Sequence, residues 1–384
     1  MKRWGFLPFV IVVALAACAT SAPTSSGTAA TAVSGSEYAA LGLSPERVAA
    51  WEDGARTTGA AGTYEWWYFD FNLDNGSTLV ITYLTKDFTR PQTQLAPFVT
   101  FTLDRPGKPT VSKTVTAAPA DFSASREGCD VKIGANWVRG DLHDYALHFS
   151  EGDVQADITL HGTVPPWRPG TGYSFFGGDK GHYFAWLPSV PQGTVSGTVS
   201  IAGQSGAVSG VGYHDHNWGD ASMLDLIHDW YWGRAQIGSY TVIASYITAS
   251  GTYGSTPLPI FMLARDGAII ADDATKVRFS TEGVYSDPYT GKPVAAVVAY
   301  DYDDGASRYR ITFRRGADLV RTRFVDMLGG FESFLARLSG FDGAYLRFTG
   351  TVTLERFEAG QVVETKTESS AVWELMYFGH APGR

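Results

Sequence analysis

Residues 65–85 read EWWYFDFNLDNGSTLVITYLT and contain two β-rich runs on either side of a turn. Aromatic and β-branched residues fill both runs, and residues of these types favour strands. Asn75-Gly76 stands between the runs, and Asn-Gly is the strongest short signal for a tight hairpin turn. The stretch therefore predicts an antiparallel hairpin. A repeat of the same stretch later in the chain predicts the rest of the fold.

A similar stretch occurs in the second half of the chain, where residues 229–248 read DWYWGRAQIGSYTVIASYIT. Both stretches begin with an acidic residue, continue with aromatic residues, turn at a glycine and end in an apolar strand. With a one-residue gap, Trp66 aligns with Trp230 and Tyr83 with Tyr246. The second stretch therefore predicts a second hairpin of the same kind.

The ends of the two halves are also alike. Residues 197–210 read GTVSIAGQSGAVSG, and residues 350–369 read GTVTLERFEAGQVVETKTES, with the same strand–loop–strand plan. We therefore predict two similar β-domains, residues 60–225 and 226–384. Neither half alternates strands with helices, so an all-β fold of antiparallel barrels or sandwiches with a few short helices is expected.

The first residues carry an export signal. Lys2 and Arg3 precede an apolar run that is too short for a comfortable membrane span. The run ends in Leu-Ala-Ala-Cys, which resembles the lipobox of bacterial lipoproteins. We expect residues 1–17 to be a signal peptide, Cys18 to carry lipid, and the small, polar residues 18–40 to form a flexible tether. The protein is then exported and lipid-anchored at the cell envelope, at the outer membrane in a Gram-negative cell.

Composition excludes some classes of partner. The chain has 30 basic and 39 acidic residues, a net charge of −9, which argues against nucleic acid and against binding to anionic lipid headgroups. Aromatic residues make up 14% of the chain and glycine contributes 43 residues, as is typical of β-sandwiches and β-barrels. A lipidated Cys18 leaves Cys129 without a disulfide partner.

Residues 210–220 read GVGYHDHNWGD and concentrate polar and aromatic side chains at the end of the first half. If this segment is a strand, its side chains alternate between two faces. One face then carries Tyr213, Asp215 and Asn217, and the other carries His214, His216 and Trp218.

The first face suggests an acid. Aromatic, desolvated surroundings raise the pKa of a carboxyl group, so Asp215 beside Tyr213 could donate a proton to a double bond or a carbonyl. Glu65 is a second carboxyl in an aromatic setting, and His214 and His216 could relay protons or hold the loop.

The second face allows a metal. His214 and His216 have His-x-His spacing on a strand, which lets two imidazoles reach one ion, but no second ligand-like motif accompanies them. A structural interpretation also stays open, because Asp and Asn in turns often satisfy local backbone groups.

EWWYFDF (65–71) and GVGYHDHNWGD (210–220) together resemble the signature pair of the lipocalin-like carotenoid hydratase family. This family includes hydroxyneurosporene synthase and the attachment-type secreted hydrolase proteins. The resemblance extends over about residues 60–384. It implies two lipocalin-like β-barrels in tandem, large apolar substrates and no redox cofactor. It also implies Asp215 as the proton donor, Tyr213 as its aromatic neighbour and Trp186 as a further aromatic residue of the site.

We therefore expect acid–base chemistry, namely hydration, isomerisation or cyclisation, on a large apolar substrate of isoprenoid or carotenoid type. The alternatives are a carrier that holds a lipophilic ligand without chemistry, and a metal-assisted hydrolase that uses His214 and His216. The predicted substrate-binding residues are Trp66, Tyr68, Trp186, Trp218 and Trp232.

Overall fold

The computed structural model describes residues 28–327 and 341–379. In these residues the chain divides into two units. The first contains residues 32–174 and 182–222, and the second contains residues 223–327 and 341–379 together with 28–31 and 175–181. The main division after Ser222 is close to the predicted boundary at 225.

The first thirteen strands are β1 (Ala29–Thr31), β2 (Tyr64–Leu73), β3 (Thr78–Leu84), β4 (Phe98–Asp104), β5 (Val111–Thr116), β6 (Phe122–Ala124), β7 (Cys129–Ile133), β8 (Asn136–Gly140), β9 (Asp144–Glu151), β10 (Val154–Gly162), β11 (Tyr173–Phe176), β12 (His182–Ile201) and β13 (Gln204–Gly219). Their main path is antiparallel, in the order β5-β4-β3-β2-β13-β12-β10-β9-β8-β7-β6, and β1 pairs with β11. Alternate side chains pack inward, as the buried–exposed alternation along β10 shows.

The second unit contains β14 (Ile227–Ile237), β15 (Tyr240–Ala249), β16 (Pro257–Arg265), β17 (Ala268–Ala271), β18 (Val277–Glu282), β19 (Tyr285–Ser286), β20 (Pro293–Val294), β21 (Val297–Asp303), β22 (Arg308–Arg323), β23 (Ala344–Glu358) and β24 (Gln361–Tyr377). Its sheet has the order β17-β16-β15-β14-β24-β23-β22-β21-β18, and β19 pairs with β20. The prediction of an all-β fold is confirmed, with two curled antiparallel sheets of lipocalin-like form.

The helices are short: α1 (Gly35–Leu41), α2 (Met223–Leu226) and 3₁₀ turns at Ala50–Asp53, Pro119–Asp121, Gly251–Tyr253, Ala274–Lys276 and Phe324–Met327. Among the described residues, none of the helices has the length and apolarity needed to cross a membrane.

The predicted hairpins form and occupy equivalent places. β2 and β3 make the first hairpin, β14 and β15 make the second, and each hairpin pairs with the last strand of its unit. In the first unit Asp215 lies opposite Tyr68, and in the second Glu374 lies opposite Trp232. Because Trp66 aligns with Trp230, Glu374 is the positional equivalent of Asp215.

One prediction at the N-terminus needs correction. The described end of the predicted flexible tether (18–40) is structured, because it contains β1 and α1. Ser34 and Glu37 form a capping box at the start of α1, in which Glu37 N–H donates to Ser34 Oγ (3.3 Å) and Ser34 N–H donates to Glu37 Oε2 (2.9 Å). The predicted signal peptide (1–17) and Cys18 lie outside the described residues.

Candidate active site

The centre of β13 lies between β2 and β12, and this register fixes what each side chain faces. Asp215 is opposite Tyr68 of β2, while Asn217 is opposite Trp66 of β2 and Trp186 of β12. Directly opposite residues point to the same face of a sheet. The side chains of residues 213–218 therefore alternate as predicted, and Trp66, Tyr68 and Trp186 share the face of Asp215.

Asp215 is buried, and both of its carboxyl oxygens accept hydrogen bonds. Its Oδ2 accepts hydrogen bonds from Tyr213 Oη (2.7 Å) and Trp186 Nε1 (2.8 Å), and its Oδ1 accepts one from Asn217 Nδ2 (2.6 Å). The residue is 7% exposed. The Tyr68 ring stands edge-on to the Tyr213 ring, with 6.4 Å between the ring centres. A carboxyl group thus sits among aromatic side chains with both oxygens occupied.

Burial is the largest influence on the pKa of Asp215 and raises it. The hydrogen bonds from Tyr213, Trp186 and Asn217 and the charge of His214 oppose the rise without cancelling it. The indole N–H can only donate, so Oδ2 stays an acceptor. An amide can rotate to offer its oxygen instead of its NH₂, so the Asn217 side is where Asp215 can hold a proton.

His214 lies on the opposite face. Its Nδ1 is 3.0 Å from the carbonyl oxygen of Tyr68, and its Nε2 is 3.2 Å from Asp53 Oδ2. Both ring nitrogens therefore face oxygen atoms that accept hydrogen bonds. The ring stacks on Phe69, with 3.9 Å between the ring centres.

His216 has the same kind of surroundings. Its Nε2 donates to Glu65 Oε1 (2.7 Å), and its Nδ1 lies 3.3 Å from the carbonyl oxygen of Glu52 and 3.5 Å from Asp53 Oδ1. The His216 ring stacks on Trp67, with 4.7 Å between the ring centres. Both nitrogens of this ring therefore also face oxygen acceptors, which include the carboxylates of Glu65 and Asp53.

Glu65, the second carboxyl that the sequence singled out, belongs to the face of His214 and His216 and not to that of Asp215. It lies opposite Trp218, and side chains one position apart in register point to opposite faces. Its carboxylate accepts from Arg56 N–H (2.6 Å), Thr57 N–H (2.9 Å) and Thr57 Oγ1 (2.8 Å) in addition to His216. Glu65 thus binds the segment before β2 to the sheet.

Asp53 is the buried carboxyl that the sequence interpretation missed. It accepts from Tyr145 Oη (2.5 Å), Ser189 Oγ (2.9 Å) and His214. Burial alone would raise the pKa of Asp53, but the charges of His214 and His216 and the hydrogen bonds bring it below the ordinary value. Asp53 lies in WEDG (51–54), upstream of the predicted domain start at residue 60. The adjacent acidic residues Glu52 and Asp53 were the feature of the sequence that could have indicated it.

The metal hypothesis is not favoured by these contacts. Asp53, Cys129 and His214 bring three potential ligand atoms within 4.8 Å of one another. To bind zinc, this cluster would need Cys129 as a thiolate and His214 as a neutral imidazole with a free nitrogen. Burial raises the pKa of the Cys129 thiol, and His214 and His216 use both ring nitrogens on protein acceptors. The donor set fits an internal hydrogen-bond network better than it fits an ion.

The other predicted substrate-binding residues divide between places. Trp218 lies on the histidine face, where its Nε1 donates to Tyr173 Oη (3.1 Å) and its ring centre is 4.7 Å from that of His216. Trp232 belongs to β14 of the second unit. Trp218 therefore lies on the face opposite to Asp215, as the alternation of side chains along this segment predicted.

The chain is similar to several known proteins and solved structures. The chain is 24% identical over 326 residues to the quinolone epoxide rearrangement protein asqO of Emericella nidulans, covering 79% of this chain and 85% of the relative. It is 26% identical over 271 residues to hydroxyneurosporene dehydrogenase of Chlorobaculum tepidum, covering 61% and 70%. Among solved structures, CghA with Sch210972 has a TM-score of 0.58 at 12% identity, over 88% of this chain and 98% of CghA.

The resemblance to the lipocalin-like carotenoid hydratase family is confirmed by these comparisons. A family model described as "Domain of unknown function (DUF7064)" matches residues 52–320. The match begins at the Glu52-Asp53 pair and includes β2 and β13, so it covers every residue of the two faces described above. The chain belongs to the DUF7064 family.

Proposed function

We propose that this protein is an acid–base catalyst that hydrates, isomerises or cyclises a large apolar substrate, with Asp215 as the general acid. The observation that carries the proposal is a buried carboxyl whose pKa is raised and which lies among Tyr213, Trp186 and Asn217. A carboxylic acid kept protonated by burial is suited to donate a proton to a weakly basic group.

The chemistry follows from the two oxygens of Asp215. The O–H bond at Oδ1 breaks as the π electrons of a substrate double bond, or a lone pair of a substrate oxygen, take the proton. The cation that forms is stabilised by the electron-rich faces of aromatic rings, and Trp66 and Tyr68 lie on this face of the sheet. The three donors then stabilise the aspartate carboxylate, which recovers a proton from a neighbouring carbon or from an added water.

Relatives support this class of reaction. One relative is named for the rearrangement of a quinolone epoxide, and an epoxide opens readily when its oxygen takes up a proton. Another is named for hydroxyneurosporene, an apolar substrate of carotenoid type. The first name supports proton transfer. The second, that of a dehydrogenase, supports only the kind of substrate, and an isoprenoid or carotenoid remains the proposed substrate type.

The proposal is tested by isotope uptake. Wild-type protein and the Asp215→Asn variant are incubated in D₂O with an apolar extract of the producing cells, and the products are compared by mass spectrometry. We expect wild-type protein to yield a product that carries non-exchangeable deuterium at carbon, and Asp215→Asn to yield none. Asp74→Asn, a change at an exposed turn residue bonded to Ser209, is the matched control.

The same experiment distinguishes the enzyme from a carrier that holds a lipophilic ligand without chemistry. A ligand that co-purifies with both variants and takes up no deuterium would show binding without chemistry and would overturn the enzymatic proposal. We also propose that the protein is exported and anchored through a lipid on Cys18, on the basis of the sequence of residues 1–18.

A further inference from the structure

The first unit contains a pocket of ≈ 190 Å³ that is separate from Asp215. Trp51, Tyr173 and Trp218 line it, together with Leu41, the last residue of α1, and Leu43. Trp186 is shared between the two places, because it lines this pocket and donates its indole N–H to Asp215. The proposed acid chemistry makes no use of the pocket.

The charged groups of the pocket favour an anion. Three arginines, Arg56, Arg126 and Arg168, line it together with a single carboxyl group, Glu52. Burial raises the pKa of Glu52, against the opposing influence of Arg168 and Arg56, so this carboxyl group carries its negative charge less readily than an ordinary glutamate. The guanidinium groups keep their charges at all ordinary pH values. The pocket is therefore positively charged.

Arg168 supplies an unused donor. The residue is 7% exposed, its Nη1 lies 3.2 Å from Glu52 Oε2 and 3.3 Å from the Arg47 carbonyl oxygen, and its Nη2 donates to the Ser44 carbonyl oxygen. Its Nε is buried and has no hydrogen-bond partner among the described residues. A buried N–H without an acceptor is costly, so it calls for an explanation, and a ligand oxygen would supply the missing acceptor.

Aromatic side chains give the pocket a shape suited to a flat ring. Trp51 is held by the Arg56 guanidinium, 4.8 Å from its ring centre. Trp218 is held by its hydrogen bond to Tyr173, and the two rings meet edge to face at 5.5 Å. A cavity of about 150 Å³ accommodates a benzene ring. The pocket is therefore of the size for one or two fused rings and is far too small for a carotenoid.

We propose that this pocket binds a small planar aromatic carboxylate. The carboxylate accepts from Arg168 Nε and is neutralised by Arg56 and Arg126, while the ring packs against Trp51 and Trp218. Each element of the ligand matches a feature of the pocket: negative charge for the arginines, an acceptor for the unused N–H, and a flat apolar ring for the tryptophans. The proposal stands independently of the reaction assigned to Asp215.

Binding of naphthalene-2-carboxylate tests the proposal, with the uncharged 2-naphthamide as the comparison ligand. Both are titrated into the full exported chain and followed by calorimetry and by tryptophan fluorescence, since tryptophans form the walls. We expect the acid to bind about tenfold or more tightly than the amide, because hydrogen bonds to charged groups are the stronger ones. Equal affinities for the two ligands, or no binding of the acid, would overturn the proposal.

Variants locate the binding. Arg168→Met should weaken binding of the acid about tenfold or more, and exposed Arg126→Gln should weaken it without the risk of unfolding a buried contact. Arg139→Gln, which removes an exposed guanidinium paired with Asp130, should leave binding unchanged. These titrations measure binding alone and involve no turnover, which keeps this test apart from that of the catalytic proposal. Wild-type affinity in both Arg126→Gln and Arg168→Met would contradict the assignment.

Discussion

At the scale of single residues, Asp215 is subject to two opposing influences. Burial favours the protonated carboxyl, whereas the donors Tyr213, Trp186 and Asn217 favour the carboxylate, and burial has the greater effect. A carboxyl whose pKa is higher in the folded state than in the unfolded chain stabilises the fold below its unfolded pKa. This stabilisation is lost as the pH rises through the folded value. At neutral pH Asp215 is a carboxylate in the unfolded chain, so burying this residue lowers the free energy of unfolding.

Asp215→Asn should therefore separate activity from stability. Turnover should fall by about 10²–10⁴-fold, the usual worth of a general acid. The free energy of unfolding at neutral pH should be equal to or higher than that of wild-type protein, because the amide resembles the protonated carboxyl in shape and charge. The difference should vanish below pH 3.8, the ordinary pKa of an aspartate, where the wild-type carboxyl is protonated in both states. Urea titrations at several pH values measure this. A large loss of stability at neutral pH would contradict the account.

Tyr213→Phe should move the pH dependence of the reaction. The variant removes a hydrogen bond that stabilises the carboxylate, so the pKa of Asp215 should rise further. The alkaline limb of the kcat/KM profile should then shift to higher pH, even if the maximum is lower. Tyr240→Phe, which removes a hydroxyl bonded to Glu364 in the second unit, is the control. An unshifted limb in Tyr213→Phe would show that Asp215 is not the group that titrates.

The sequence predicted the two faces of 213–218 because strand periodicity is a local property. It did not predict Asp53, which reaches His214 from 161 positions away along the chain. Nor did it assign Glu65 to a face, because that face depends on the register between β2 and β13. Register is set by the pairing of distant strands, and an error of one residue exchanges the two faces.

At the scale of elements, buried hydrogen bonds fix the 3₁₀ turn Ala50–Asp53 and the residues after it to the sheet. His214 of β13 contacts Asp53 directly, and His216 contacts Glu65 of β2, which in turn accepts from Arg56 N–H and Thr57 N–H. All four side chains are at most 1% exposed. The histidines of the sequence motif thus act as the attachment points of this segment, which is the structural role left open from the sequence.

Asp53→Asn should destabilise the first unit by about 3–5 kcal/mol, because the buried groups Tyr145, Ser189 and His214 lose the carboxylate to which they are bonded. Asp121→Asn, at an exposed position, should have little effect. Urea denaturation at neutral pH, followed by tryptophan fluorescence, provides the measurement. Unchanged stability would contradict the buried hydrogen bonds of Asp53.

The same pair predicts a dependence on acid. The pKa of Asp53 is lower in the folded state, so its contribution to stability is present above the ordinary value of 3.8 and is lost as the pH falls through the folded value. Wild-type protein and Asp53→Asn should therefore converge in stability under strongly acidic conditions. A difference in the free energy of unfolding that stays constant at all pH values would contradict the lowered pKa of Asp53.

At the scale of the whole molecule, the internal repeat was the feature of the sequence that predicted most of the fold. The two hairpins and their pairing with a last strand recur, and the repeat extends to Glu374, which accepts from Trp230 Nε1 (3.1 Å) and Tyr345 Oη (2.7 Å). The structured end of the supposed tether was not predicted, because α1 depends on a capping box of four residues within a segment of otherwise small and polar composition.

Membrane attachment is a property of the whole protein that the N-terminal sequence predicts. Wild-type protein expressed in a bacterial host with its residues 1–17 should partition into the detergent phase of Triton X-114. Cys18→Ser should move it to the aqueous phase, because the thiol that accepts the lipid is lost. Cys129→Ser is the matched control. Equal partitioning of wild-type protein and Cys18→Ser would contradict lipidation.

The raised pKa of the buried Asp215 carboxyl can be measured directly without a known substrate. Infrared difference spectra between wild-type protein and Asp215→Asn, recorded as the pH rises from below 3.8, the ordinary aspartate pKa, isolate the carboxyl group of this residue. We expect the C=O band of a protonated carboxylic acid in wild-type protein, absent from the variant, to give way to a carboxylate band only above that ordinary value. A midpoint at or below 3.8 would contradict the role of Asp215 as the general acid.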